Sequence, residues 1–224
     1  MITFKEYLLE ADSTDLVKVL NRDCAEFFSQ THRAGLLVRG MRDLRGATLG
    51  HFANPLYSGR RGQTTVIEYA VKTPRTDRKP ADTPRRAHVM LDRWFDAKFG
   101  VKARSNAVFC YPPRAKQHAM QYGDMYAVFP IGDFRIIWSP NVDDLYGELE
   151  TSFLTKMRRG EYEDDDAALD DYLSDKHYTD KDLNKAMKSR SELMLICSKY
   201  YAFSYGEYAS MLAQVLEIDT KIHD

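Results

Sequence analysis

Apolar runs in the second half of the chain constrain its fold more than any other feature. "DMYAVFPIGDFRIIWSP" (124–140) and "SELMLICSKYYAFS" (191–204) are rich in β-branched and aromatic residues, the composition of buried strands. In the second, Leu193, Leu195 and Cys197 alternate with Met194, Ile196 and Ser198, the period of two that sends successive side chains to opposite faces. "RSNAVFCYPP" (104–113) has the same character. A short helix with Ala119 and Tyr122 is expected between it and the next strand, and Gly132-Asp133 is expected to form a tight turn.

The other periodic segments are helical. Leu16, Val19, Leu20, Cys24 and Phe27 share a face, as do Val89, Met90, Trp94, Phe95 and Phe99. The second set follows Thr83-Pro84, a capping pair, and meets a stop at Gly100. "DKDLNKAMKS" (180–189) reads as a helix, and Tyr208, Met211, Leu212, Val215 and Leu216 mark an amphipathic one near the carboxyl end. Leu36, Leu37 and Val38 form a compact run that suits a buried strand ending at Arg39-Gly40. From 41 to 87, Gly, Arg, Pro and Thr predict mostly loop, with one hairpin element where "TTVIEYAVKT" has strand character. The acidic run 161–171 reads as a solvated face or loop. Strands and helices in this order predict an α+β fold.

Composition narrows the function classes. With 44% hydrophobic and 12% aromatic residues in 224, the chain can bury enough apolar surface to offset its ordering entropy. A net charge of −1 gives no global field for holding nucleic acid phosphates. Apolar stretches are broken by charge long before the roughly 18–20 residues a membrane span needs. Cys24, Cys110 and Cys197 are odd in number and widely spaced, which predicts reduced intracellular thiols and no disulfide framework. Without HExxH or paired-Cys spacing, no metal is expected.

The first residues, "MITFKEYLLEAD", place Ile2, Tyr7, Leu8 and Leu9 near one helical face. The segment lacks the long apolar stretch of a secretory signal. It resembles the capsid-targeting leader of internal proteins of large contractile-tailed phages, which begins Met-x-Thr-(Phe/Tyr)-x-Glu and ends Leu/Ile-x-Glu, here Leu8, Leu9 and Glu10. The resemblance implies partnership with the phage prohead scaffold and cleavage by the prohead protease between Glu10 and Ala11. One domain over 11–224 would remain, located in the virion interior and then in the host cytoplasm. The alternative is an amino-terminal helix docked on the fold.

Three separated sites combine a functional residue with strand context: Arg39-Gly40 in "LLVRGM", Ser105-Asn106 through Tyr111 in "RSNAVFCY", and Glu192 in "SELMLI". Their order resembles the ADP-ribosyltransferase fold, in which Arg-Gly ends a first core strand, an aromatic or Ser-bearing strand follows, and Glu opens a later one. "AVFCYPPRAKQHAMQYGDMYAVFPI" is similar to the family's aromatic strand, helix and apolar strand. The resemblance implies a mixed β core with flanking helices, NAD as substrate, and transfer of ADP-ribose to a host protein or nucleic acid. Arg suits a pyrophosphate because its planar fork donates two parallel hydrogen bonds, which assigns Arg39 to the dinucleotide. A carboxylate stabilises the positive charge that develops on ribose as the nicotinamide bond breaks, which assigns Glu192 to catalysis. Gly40, Ser105, Asn106, Tyr111 and Tyr122 complete the expected NAD pocket.

The sequence departs from the arginine-modifying branch: Phe109-Cys110-Tyr111 replaces a Ser-Thr-Ser strand, and Arg190 stands where Glu or Gln precedes the catalytic Glu. An ExE at Glu148-Leu149-Glu150 follows a turn-like stretch and ranks below Glu192. Cys110 with His118 is a weaker nucleophile pair, because a Cys inside an aromatic strand is usually a small buried hydrophobe. The alternative function is a non-enzymatic phage internal or head protein that binds a host defence factor or packaged DNA. Its contact would be the basic segment of Arg75, Arg78, Lys79, Arg85 and Arg86, which otherwise is a solvated loop.

Overall fold

Strand β6 (Leu193–Ser204) divides the interior. Leu193, Leu195 and Cys197 enter one apolar core, while Met194 and Ile196 enter a second, as the period of two requires. The computed structural model describes residues 16–53, 66–76, 78–80 and 83–219, so the leader residues Leu8, Glu10 and Ala11 lie outside it. The other strands are β1 (Leu37–Met41), β2 (Thr48–Ala53), β3 (Val66–Lys72), β4 (Val108–Cys110) and β5 (Asp124–Ile137). They run in the order β1-β5-β6-β3-β2, with β4 on the first half of β6. With its helices the chain is α+β. Every pairing is antiparallel, where the resemblance implies a mixed core.

A bridge between Val38 and Tyr111 ties the end of β4 to β1. β1 is thus joined to β6 through β5 on one side and through β4 on the other. That closure brings Arg39 and Glu192 onto neighbouring parts of the sheet.

Gly132-Asp133 is not the expected hairpin turn. Ile131 pairs with Lys199 and Phe134 with Cys197, so β5 carries one extra residue and continues through a bulge. Gly132 at φ 69 supplies the left-handed conformation that such a bulge takes at its first residue. A second departure is β2, in a stretch expected to be loop. Its composition misleads because it ends the sheet half-exposed, and because Gly50 lies under a ring: a Cβ there would come within 2.5 Å of Tyr69. Third, Arg104, Ser105 and Asn106 belong to a short helix rather than to the strand that follows them.

Helices α1 (Leu16–Asp23) and α2 (Ala25–Thr31) cover the first core, where Phe27 meets Phe129 edge-on at 6.3 Å. α3 (Arg85–Phe99) and the short α4 (Ala103–Asn106) lead into β4. α5 (Lys116–Met120) packs on β1. α6 (Leu145–Leu149) passes through a π turn into α7 (Thr155–Arg158), so the ExE is helical and the last three residues of the turn-like stretch before it already belong to α6. α8 (Asp165–Ser174), α9 (Leu183–Lys188) and α10 (Tyr205–Val215) complete the chain.

The acidic run is partly absorbed into α8. Asp164 caps that helix by accepting from the backbone N–H groups of Asp166 and Ala167. Asp165 pairs with Arg86 at 2.7 Å, and Asp170 accepts from Trp94 Nε1 at 2.8 Å. Leu169 and Leu173 then enter the second core beside Phe95 and Phe153. Among the described residues no helix is long and apolar enough to cross a membrane.

Candidate functional site

The antiparallel register brings the backbones of Arg39, Tyr111 and Glu192 near one another. Cys110 pairs with Leu193, and the next residue of β4's chain, Tyr111, bridges Val38. Glu192 precedes Leu193 and Arg39 follows Val38. At about 4.8 Å per strand, two spacings put their backbones about 10 Å apart. Arg39 and Glu192 both act on the Arg78 guanidinium and on the Cys110 thiol, so their charges reach the same part of the interior.

Glu192 is buried, and Arg104 Nη1 donates to its Oε2 at 3.1 Å. Its backbone N–H donates to the Asp143 carbonyl at 2.8 Å. Burial pushes the Glu192 carboxyl above the usual range, Arg104 opposes the shift and Asp144 adds to it. The Arg104 and Arg78 guanidiniums lie 4.4 and 4.5 Å from the centre of the Phe109 ring. Arg78 also donates to the Ala107 carbonyl at 3.2 Å. Burial, then repulsion from Arg39 and Arg104, lowers its pKa to about 10. Arg104 and Arg78 therefore both act on the Glu192 carboxylate, and Arg39 reaches the cluster through its repulsion of Arg78.

Several polar atoms at this cluster are buried without a partner: Nε and Nη1 of Arg39, Nε of Arg104 and Oδ1 of Asn106. Leaving such groups unmade costs about 1–3 kcal/mol each, more when charged. An anion among the guanidiniums would satisfy the donors and relieve their mutual repulsion. Phosphate fits, because it accepts the paired N–H groups of arginine.

Gly40 has a packing reason. On β1 opposite Met125, it lies so close to α5 that a Cβ would come within 1.9 Å of the Ala119 carbonyl oxygen. Tyr111 is buried, stacks on His118 with ring centroids 5.5 Å apart, and hydrogen-bonds with the half-exposed Tyr122. Burial raises both phenols, and Glu192 adds to the shift in each. Ser105 faces elsewhere. Its Oγ donates to Asp92 and lies 3.0 Å from His88 Nε2, and its N–H donates to Asp92 Oδ1 at 3.1 Å. Asp92 and His88 are on α3, so this network anchors α4 and leaves Ser105 no free hydroxyl for a pocket. His88 meets Ser105 and Asp92 through the same nitrogen, which is not the relay of a serine hydrolase, where the carboxylate holds the other nitrogen.

Arg78 and Arg104 were not among the sequence-selected residues. Arg104 directly precedes Ser105, and Arg78 belongs to the basic segment read as a nucleic acid contact or solvated loop. That segment is divided: Arg78 turns inward, Arg86 pairs with Asp165, and Arg75, Lys79 and Arg85 remain exposed. Burial pushes the Cys110 thiol up to about 12, as befits a buried hydrophobe. Glu148 pairs with Lys176 at 2.7 Å and Glu150 with Arg158. Among the described residues no group of three His, Cys, Asp or Glu could hold a metal ion. Neither a family model, nor a curated protein, nor a solved structure matches the chain.

Proposed function

We propose that the Arg39–Arg78–Arg104–Glu192 cluster binds the pyrophosphate of NAD and that the protein transfers ADP-ribose to a host macromolecule. The observation that carries this reading is the unpartnered, buried guanidinium face of Arg39 beside two further arginines and one carboxylate. NAD supplies a ribose whose bond to nicotinamide can break. On the protein's side, the arginines hold the phosphates, the half-exposed Tyr122, backed by the buried Tyr111, offers aromatic surface, and Glu192 supplies the negative charge that the reacting sugar needs. Glu192 is engaged by Arg104, so its action on the sugar requires Arg104 to turn to the phosphates.

The delivery part of the reading rests on the amino-terminal sequence. A packaged phage protein cut between Glu10 and Ala11 would begin at Ala11 in purified virions, and mass spectrometry of those virions reads its start directly. For the site, calorimetric titration of NAD into the intact protein is the test. Binding that is lost in Arg39→Met supports the reading, and equal binding by both proteins removes Arg39 from the site.

A further inference from the structure

A separate cavity of about 890 Å³ lies where the end of β6 turns into α10, within the size range of small-molecule sites. Its apolar walls include Leu44, Leu49 and Val66, and its polar lining includes Glu68, Asp124 and Glu207 beside Tyr126 and Tyr208. Among the described residues no lysine or arginine lines it. Among the described residues none of these three carboxylates makes an ion pair.

The lining has an order. Asp124 and Tyr126, two apart on β5, share a face of that strand, and Glu207 and Tyr208 are adjacent at the start of α10. Each carboxylate therefore has a phenol beside it in the lining. The Glu68 backbone N–H donates to the Tyr208 hydroxyl at 3.3 Å, which fixes that phenol against β3. The carboxylates are too dispersed to share one metal ion. They suit a ligand whose positive charges are spaced along an apolar chain, with aromatic faces beside the carboxylates to receive methylenes and ammonium groups.

The geometry points to this cavity as a binding site for an aliphatic polyamine, held by Glu68, Asp124 and Glu207 and packed against Tyr126 and Tyr208. The inference does not depend on NAD chemistry, since none of the cluster residues Arg39, Arg78, Arg104 or Glu192 lines the cavity.

The test is calorimetric titration of spermidine into the intact protein at low salt, with circular dichroism to confirm folding. Two variants separate the site from diffuse attraction. Gly206 lines the cavity and a Cβ there meets nothing within 4 Å, so Gly206→Phe fills the space without a clash at the backbone. Glu207→Gln removes one of the three charges. One spermidine should bind the wild type, Glu207→Gln should bind at least about tenfold more weakly, since charge-assisted contacts are the strong ones, and Gly206→Phe should not bind. No binding by the folded wild type, or equal binding by Gly206→Phe, overturns the proposal. So does displacement of spermidine by magnesium at matched charge, which would show general screening. Binding of arginine amide with none of spermidine also overturns it, by assigning the cavity to a single cation.

Discussion

Replacing Arg104 with alanine would leave Glu192 as a buried charge without its partner. The two side chains are only 12% and 8% exposed, so solvent cannot take over the role of the guanidinium. Breaking a pair this deeply buried costs about 3–5 kcal/mol, and losing the contact with Phe109 adds about 1 kcal/mol. At about 2–4 °C per kcal/mol for a chain of this size, the melting temperature should fall by roughly 8–24 °C at pH 7. The loss depends on pH with a definite sign. Burial already raises the Glu192 carboxyl in the folded state, and Arg104 opposes that shift; removing Arg104 raises it further. Between the unfolded and folded pKa values the folded state holds the extra proton, so stability falls as pH rises through that window. Arg104→Ala should therefore be closest to wild type under mildly acidic conditions and furthest from it at neutral pH. Urea denaturation at pH 5 and pH 7, followed by far-UV circular dichroism, reads both effects. A loss below about 1 kcal/mol at pH 7, or the same loss at both pH values, would falsify the buried-pair argument.

Gly40→Ala places a methyl 1.9 Å from the Ala119 carbonyl oxygen; it should cost at least about 1–3 kcal/mol, and a wild-type urea midpoint would contradict the close packing of α5 on β1. Gly132→Val should destabilise by more than Gly132→Ala, because the bulge holds φ at 69 and β-branched residues tolerate the left-handed region least; equal midpoints for the two variants would remove the bulge. Burial pushes the Cys110 and Cys197 thiols each up to about 12 and that of Cys24 further still. The native protein should therefore react with a thiol reagent at neutral pH far more slowly than the urea-unfolded chain, and rapid native labelling would contradict this.

The fold was legible where periodicity was strong. The apolar face of Met90 and Phe95 and the stop at Gly100 predict α3, and the alternation from Leu193 to Cys197 predicts β6. It failed where tertiary contacts override local pattern. The dipeptide Gly132-Asp133 has turn chemistry, but β6 runs alongside both flanks and converts the turn into a bulge. β2 carries little strand signal because Thr48, Leu49 and His51 are exposed on the last strand. The stretch before the ExE has turn composition, yet Leu145, Leu149 and Phe153 anchor its end and the ExE as a helix in the second core.

The site was legible in part. The backbones of Arg39, Tyr111 and Glu192 are brought near one another by register, which order along the sequence only hinted at. Ser105 was selected for its hydroxyl, but Asp92 and His88 on the preceding helix already engage it. Arg104 and Arg78 were hidden because a buried arginine and a surface arginine look alike in sequence, and only the Phe109 ring and the Glu192 carboxylate distinguish them. The carboxylates and phenols of the cavity come from β3, β5 and α10, segments too far apart in the chain for any motif to join.

Release of nicotinamide from NAD by the intact protein, with host lysate as the source of acceptor, tests the central claim most directly. The account predicts release by the wild type and its loss in Glu192→Gln, with NAD binding retained by that variant. Absence of release from folded wild-type protein, or undiminished release by Glu192→Gln, would contradict it.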